Sequence, residues 1–199
     1  MDDAHRNDSD TGDSAPRPDL DSDAMGQTIA DCLPQLIAYV RVHTGRELQA
    51  KESISDLVQS ACREVLRAPP ADALTNPDRL RAWLFQAAKQ KILEKARYWR
   101  AAKRDPQREA AFSLSEDDRK ALERAYAAFG TPSGGLRAQD EIERLESALA
   151  ELPEDYREVI LLARIVGLPH ADIAEAMGRS PEATRKLLAR ALTELTRHL

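Results

Sequence analysis

The sequence is poor in aromatic residues (5%), holds only 8 glycines in 199 residues, and carries 2 cysteines. Scarce glycine and the near absence of apolar–polar alternation argue against a β-rich fold, whose half-buried strands show a period of two. Cys32 and Cys62 lack metal-ligand spacing and each falls in an apolar helical pattern. They are therefore expected as buried free thiols, as suits a reducing cytoplasm. No apolar run reaches the ~18 residues of a membrane span. The acidic start has no apolar h-region, so no signal peptide is expected. No carboxylate pair stands beside a nucleophile, and no glycine loop could cradle phosphate. His5, His43, His170 and His198 are scattered along the chain. No metal, cofactor or catalytic residue is expected, and the chain does not read as an enzyme.

What is present is helical. Apolar residues recur at spacings of three and four, within a composition of 42% hydrophobic and 32% charged residues typical of a globular protein. The fold class is all-α, with two small helical domains joined by a flexible linker and a helix-turn-helix at the C-terminal end. Residues 1–26 are rich in Asp, Ser, Gly and Pro and have little apolar content, so a disordered acidic tail is expected there.

The first helical block spans residues 27–105. Ile29, Leu33, Leu36, Ile37 and Val40 form one stripe, with Pro34 near its start. Ile54, Leu57, Val58, Ala61, Val65 and Leu66 form the next, capped by Ser53 or Ser55 and ended by Pro69 and Pro70. A long helix from about Asp78 turns Leu80, Leu84, Ala87, Ala88 and Leu93 inward. Residues 106–139 read as a linker, with a possible helix over 117–129 and a flexible break at 130–135. The second block covers residues 140–199.

In that second block, Gly167 stops one helix, Pro169 starts a short one, Gly178 turns the chain, and Ser180-Pro181 opens the last. Two short helices joined by a glycine turn match the helix-turn-helix that enters the major groove of DNA. Ala171, Ile173, Ala174 and Met177 are expected to pack the first helix on the second. The outward face of the second carries Glu182, Arg185, Lys186, Ala189 and Arg190. Arg can bind a guanine edge with two hydrogen bonds, whereas Lys suits a phosphate as a point charge. A plain helical hairpin with a solvated charged face is the competing reading.

The net charge of −5 hides a basic stretch. Residues 79–104 hold Arg79, Arg81, Lys89, Lys91, Lys95, Arg97, Arg100, Lys103 and Arg104, with Glu94 the lone acid. Trp83, Phe85, Tyr98 and Trp99 lie among them. Rings interleaved with cations suit single-stranded nucleic acid, where unstacked bases stack on aromatic faces. Phe85 reads as core. Trp83, Tyr98 and Trp99 fit either a core role or a stacking role.

Three segments carry a family likeness. The run from Ser55 through Asp56, Leu57, Val58 and Gln59 to Leu66 resembles the DLVQ-containing helix of region 2 in bacterial sigma factors. Arg81-Ala82-Trp83-Leu84-Phe85 resembles the RAWLF-type segment that follows it. Leu152-Pro153-Glu154-Asp155-Tyr156-Arg157-Glu158-Val159 resembles the start of region 4. Their order and the compact layout resemble the extracytoplasmic-function (ECF) subfamily of sigma-70 family sigma factors.

The resemblance implies a protein that binds core RNA polymerase and directs promoter-specific transcription initiation in the cytoplasm. Asp56, Leu57, Gln59 and Arg63 would bind core polymerase. Trp83, Lys89, Lys91, Arg97 and Arg100 would bind the minus-10 element. Ser180, Glu182, Arg185, Lys186 and Arg190 would bind the minus-35 element. No membrane insertion is implied. Control by an anti-sigma factor, the acidic tail or the linker helix stays open. The alternative is a helix-turn-helix regulator or sigma-like adaptor without initiation activity.

Overall fold

Amphipathic spacing becomes eight helices among the residues that the computed structural model describes, which are 22–69, 71, 73–74, 76–101, 116–129 and 136–199. The acidic segment before Ser22, the end of the basic stretch at Lys103 and Arg104, and the break at 130–135 lie outside them.

Helix α1 (Ser22–Gln49) starts earlier than the sequence pattern suggested, because Met25 already contributes a buried apolar side chain. Residues 22–26 thus belong to the helix and not to a tail. Pro34 sits inside α1, and the helix runs through it. Gly45 takes a positive φ of 62°, open to glycine at little cost, and kinks the last residues away.

Helix α2 (Ile54–Arg67) is capped by Ser53, whose Oγ accepts from the Asp56 N–H at 3.4 Å. Helix α3 (Pro77–Ala101) opens on proline, which needs no N–H partner there. Asn76 Oδ1 accepts the next free N–H, that of Asp78, at 2.9 Å. Three expected inward positions face out instead: Leu33 of α1 is 36% exposed, Leu66 47% and Leu93 39%.

The expected linker helix exists as α4 (Glu116–Tyr126), continued by a 3-10 turn over Ala127–Phe129. It packs on α1 and buries Leu122, Ala125 and Tyr126. This part of the linker is core structure, because its apolar stripe finds a partner.

Helix α5 (Leu136–Glu151) leads into α6 (Glu154–Ile160), which continues as a π-helical segment, Leu161–Val166. Gly167, at φ 74°, closes it with a left-handed residue. Helices α7 (His170–Ala176) and α8 (Pro181–His198) follow.

Helix α1 is the central element. It packs against α2 and α3 in its own block, and against α4, α5 and the π-helical segment beyond it. Both helical blocks are present as the sequence predicts, but one apolar core runs from Met25 to Leu195 through both. Among the described residues, no helix is long and apolar enough to cross a membrane. Cys32 is buried and Cys62 half-buried, neither is in a disulfide, and burial pushes both thiols up from their ordinary pKa.

Candidate nucleic-acid interface

The helix-turn-helix forms as its punctuation predicts. Gly178 turns the chain at φ 62°, and the Arg179 N–H closes the turn on Ala174 O at 2.8 Å. Ser180 caps α8: its Oγ accepts from the Ala183 N–H at 3.2 Å, and its carbonyl accepts from Thr184 Oγ1 at 3.0 Å. Ser180 is therefore engaged in holding the start of α8. Thr184, Leu187, Ala191 and Leu195 are buried and lock α8 down, against Ile173 and Ala174 of α7. Ala171, expected in that contact, is exposed instead.

The outward face is open. Glu182, Arg185, Lys186 and Arg190 are all exposed. Lys186 is paired one turn along with Glu182 at 2.6 Å, but its side chain stays 72% exposed. An exposed pair of this kind is weak and yields readily to a phosphate.

On α2, Asp56, Gln59 and Arg63 are exposed, and Arg63 Nε donates to Gln59 O at 3.3 Å. Leu57 is different. It is 2% exposed and belongs to the core, so it cannot meet a partner directly. Beside this polar face lies an apolar groove of about 390 Å³, lined by Ile29, Leu33, Val58, Cys62 and Leu66. Sequence reasoning missed it, because the stripe spacing places Leu33 and Leu66 inward.

On α3, Lys91 reaches Glu64 at 2.6 Å and Glu94 at 3.2 Å, and these carboxylates raise its pKa. Arg97 and Arg100 are exposed near the end of the helix, Arg100 donating to Ala96 O at 3.1 Å. Trp99 is held in place: its indole N–H donates to Glu52 Oε1 at 2.8 Å, and Lys51 lies 5.5 Å from its ring centroid. Tyr98 packs edge-on against Trp99 and is 61% exposed, a ring available for stacking among the cations.

A family model described as "Sigma-70, region 4" matches residues 142–195, the α5–α8 unit. The chain is 31% identical over 176 residues to the ECF RNA polymerase sigma factor ShbA of Streptomyces griseus, covering 88% of this chain and 87% of that protein. This chain belongs to the ECF RNA polymerase sigma factors. It is also 27% identical over 178 residues to the ECF RNA polymerase sigma factor SigD of Mycobacterium tuberculosis, covering 88% of this chain and 76% of SigD. The structure of CnrH, solved in complex with the cytosolic domain of CnrY, matches with a TM-score of 0.54 at 25% identity, over 88% of this chain and 86% of CnrH. As a sigma factor, the chain directs core RNA polymerase to promoter DNA.

In this sigma factor, the basic face of α3 does not stand free. Lys89 Nζ lies 3.3 Å from Glu158 and 3.8 Å from Glu154, both on α6. Arg79 pairs with Glu175 of α7. Trp83 lies beside Asp172, Glu175 and Ala176 of α7, and its indole N–H is buried with no protein acceptor. Glu158 is the centre of this contact. It accepts from Tyr39 Oη at 3.0 Å and stands 3.0 Å from His43 Nε2. Burial pushes its carboxyl up, but His43, Lys89 and Tyr39 more than offset this and hold it below its ordinary pKa. A second bridge ties α1 to α5. Arg41 donates twice to Glu146, at 2.8 Å each, and Tyr126 Oη donates to the same carboxylate at 2.9 Å.

Of the minus-10 residues expected from the sequence, Trp83 and Lys89 thus lie under the second block, Lys91 is ion-paired, and Arg97 and Arg100 are open. The covering acids, Glu154, Glu158 and Glu175, were not legible as such. In one dimension they read only as the solvated faces of amphipathic helices.

Proposed function

We propose that this sigma factor divides promoter reading between its two blocks. Residues 27–105, extended to start at Ser22, act as region 2, and residues 140–199 act as region 4. In region 4, Arg185, Lys186 and Arg190 meet the minus-35 duplex. Arg185 and Arg190 suit base edges and Lys186 a phosphate. Ser180 contributes by capping α8, and Glu182 by restraining Lys186 until DNA replaces it.

In region 2, the exposed side chains of Asp56, Gln59 and Arg63 dock on core polymerase, with Leu33 and Leu66 beside them in the role first expected of Leu57. Along α3, Lys89, Lys91, Arg97 and Arg100 hold the backbone of the opened minus-10 strand. Trp83 and Tyr98 offer stacking faces to its bases. The chain acts in the cytoplasm, where Cys32 and Cys62 stay reduced, and as a specificity subunit rather than an enzyme. CnrH was solved holding the cytosolic domain of CnrY, and an anti-sigma protein binding this chain would be a comparable partner.

The observation that carries the reading is the open basic face of α8 above a capped, buried helix-turn-helix. Its test is run-off transcription with purified core polymerase. Wild-type chain should yield promoter-specific transcripts, and an Asp56→Ala/Gln59→Ala variant should lose core binding while still binding minus-35 duplex. A variant that kept full core binding would remove α2 from the docking surface.

A further inference from the structure

The apolar groove beside α2 continues into a basic pocket. The groove is bounded by the first turns of α1, from Gly26 to Leu33, and by the second half of α2, from Val58 to Leu66. Leu33 and Leu66 are both exposed along it, and apolar exposure gathered within a polar rim marks an interaction surface. Arg63 lines the groove and also the next pocket, of about 360 Å³, which Ser60, Arg67 and Lys91 share with Glu64. Lys91 meets Glu64 at 2.6 Å, whereas Arg63 and Arg67 meet no carboxylate among the described residues. Apolar at one end and basic at the other, this surface fits an acidic segment with an apolar stretch. Residues 1–21 have that make-up. They hold seven aspartates against two arginines, which accounts for the whole net charge of −5. Their last third interleaves Ala15, Pro16, Pro18 and Leu20 with Arg17 and Asp19. They join α1 at Ser22, one turn before Gly26. Such a segment spans up to about 70 Å when extended, and α2 is about 21 Å long, so the whole face is within reach.

We propose that residues 1–21 are the occupant of this surface: the stretch from Ala15 to Leu20 lies along the α1–α2 groove, the aspartates before it meet Arg63 and Arg67, and core polymerase must displace the segment to reach α2. The docking stands on the surface and the tether. The competition rests in addition on the reading of α2 as the polymerase-docking helix. Tethering makes the contact intramolecular, at an effective concentration of the order of mM, so weak contacts suffice to hold the segment. Each exposed ion pair is individually weak and screened by salt, so the segment also yields to a stronger partner. Apparent affinity for polymerase equals the intrinsic affinity reduced by the fraction of chain whose α2 is uncovered.

The test uses the full chain. The photo-crosslinker p-benzoylphenylalanine is placed at Ala15, the free chain is irradiated, and mass spectrometry maps the attachment. Attachment should fall within residues 26–33 and 58–67, with a yield that drops in roughly 0.5 M salt. Arg67→Glu should lower that yield, and Arg67→Lys should keep it. Asp10→Asn/Asp13→Asn should also lower the yield, and should tighten binding to core polymerase by about threefold, the scale of two weak ion pairs. Glu151→Gln/Glu194→Gln is the control of equal charge change, because these acids pair with His198 and lie on α5 and α8.

Attachment to the basic faces of α3 or α8, no attachment at all, or a yield indifferent to Arg67→Glu overturns the docking. Attachment in the groove with core binding no tighter than in the control pair overturns the competition. Failure of the underlying reading looks different. If Asp56→Ala/Gln59→Ala leaves core binding intact, α2 is not the polymerase-docking helix, and the competition falls with that reading. If the same variant loses core binding, the reading stands and the competition alone is lost.

Discussion

The basic faces of α8 and α3 carry the same kinds of side chain and sit in opposite circumstances. On α8, Arg185, Lys186 and Arg190 are exposed, and the carboxylate that Lys186 meets, Glu182, is a neighbour on the same helix. On α3, Lys89 and Arg79 are met by carboxylates from another block, and Trp83 is covered. The difference follows from what each helix packs on. Helix α8 packs by its inner face on α5, α6 and α7. Helix α3 lies between α2 and α7 and meets neighbours on more of its circumference. A basic face is available to DNA only if the fold leaves it uncovered.

The largest way to break this contrast is Glu158→Ala. It strands Lys89, His43 and Tyr39 in a buried setting, where loss of one partner costs about 3 kcal/mol. Denaturant unfolding measures it, and a loss under about 1 kcal/mol would show that the network contributes little. On the open side, Arg185→Ala and Arg190→Ala should each lower discrimination against a changed minus-35 base by about 1–3 kcal/mol wherever the arginine reads that base. Duplex binding to base-substituted promoters checks this, and an unchanged preference removes that arginine from base reading.

Smaller effects sharpen the comparison. Ser180→Ala should cost about 1 kcal/mol of stability through loss of the cap on the Ala183 N–H, seen as a lower Tm. Lys186→Ala should weaken binding evenly across sequences and reduce the salt slope by about one. Acid provides the mildest probe of the covered side. The Glu158 carboxyl is held below its ordinary pKa, so its contribution is fully present above that ordinary value. That contribution should vanish only as pH falls through the lowered value. Scattering across an acid titration should show no opening in the ordinary carboxylate range. Opening at or above it would assign the transition to another group.

The helices themselves were legible in the chain. Ser53 before α2, Ser180-Pro181 before α8, and the positive-φ glycines Gly167 and Gly178 act through local backbone geometry, which depends on neighbours in sequence. The helix-turn-helix was legible for the same reason. Leu57 was not, since a stripe residue in a family motif can serve the core or a partner, and only its burial distinguishes them. Leu66 and Leu93 share the stripe spacing and stay exposed, because helical period gives a direction around the axis without saying where the neighbouring helix ends.

By itself, the sequence determined an all-α chain with a helix-turn-helix, a basic recognition helix and a basic, aromatic α3, because period, capping and charge are local properties. Tertiary structure alone decided that these two surfaces differ in availability. Residues as distant as Tyr39 and Glu158, or Arg79 and Glu175, meet through packing of one block on the other, and nothing in their own neighbourhoods announces the pairing.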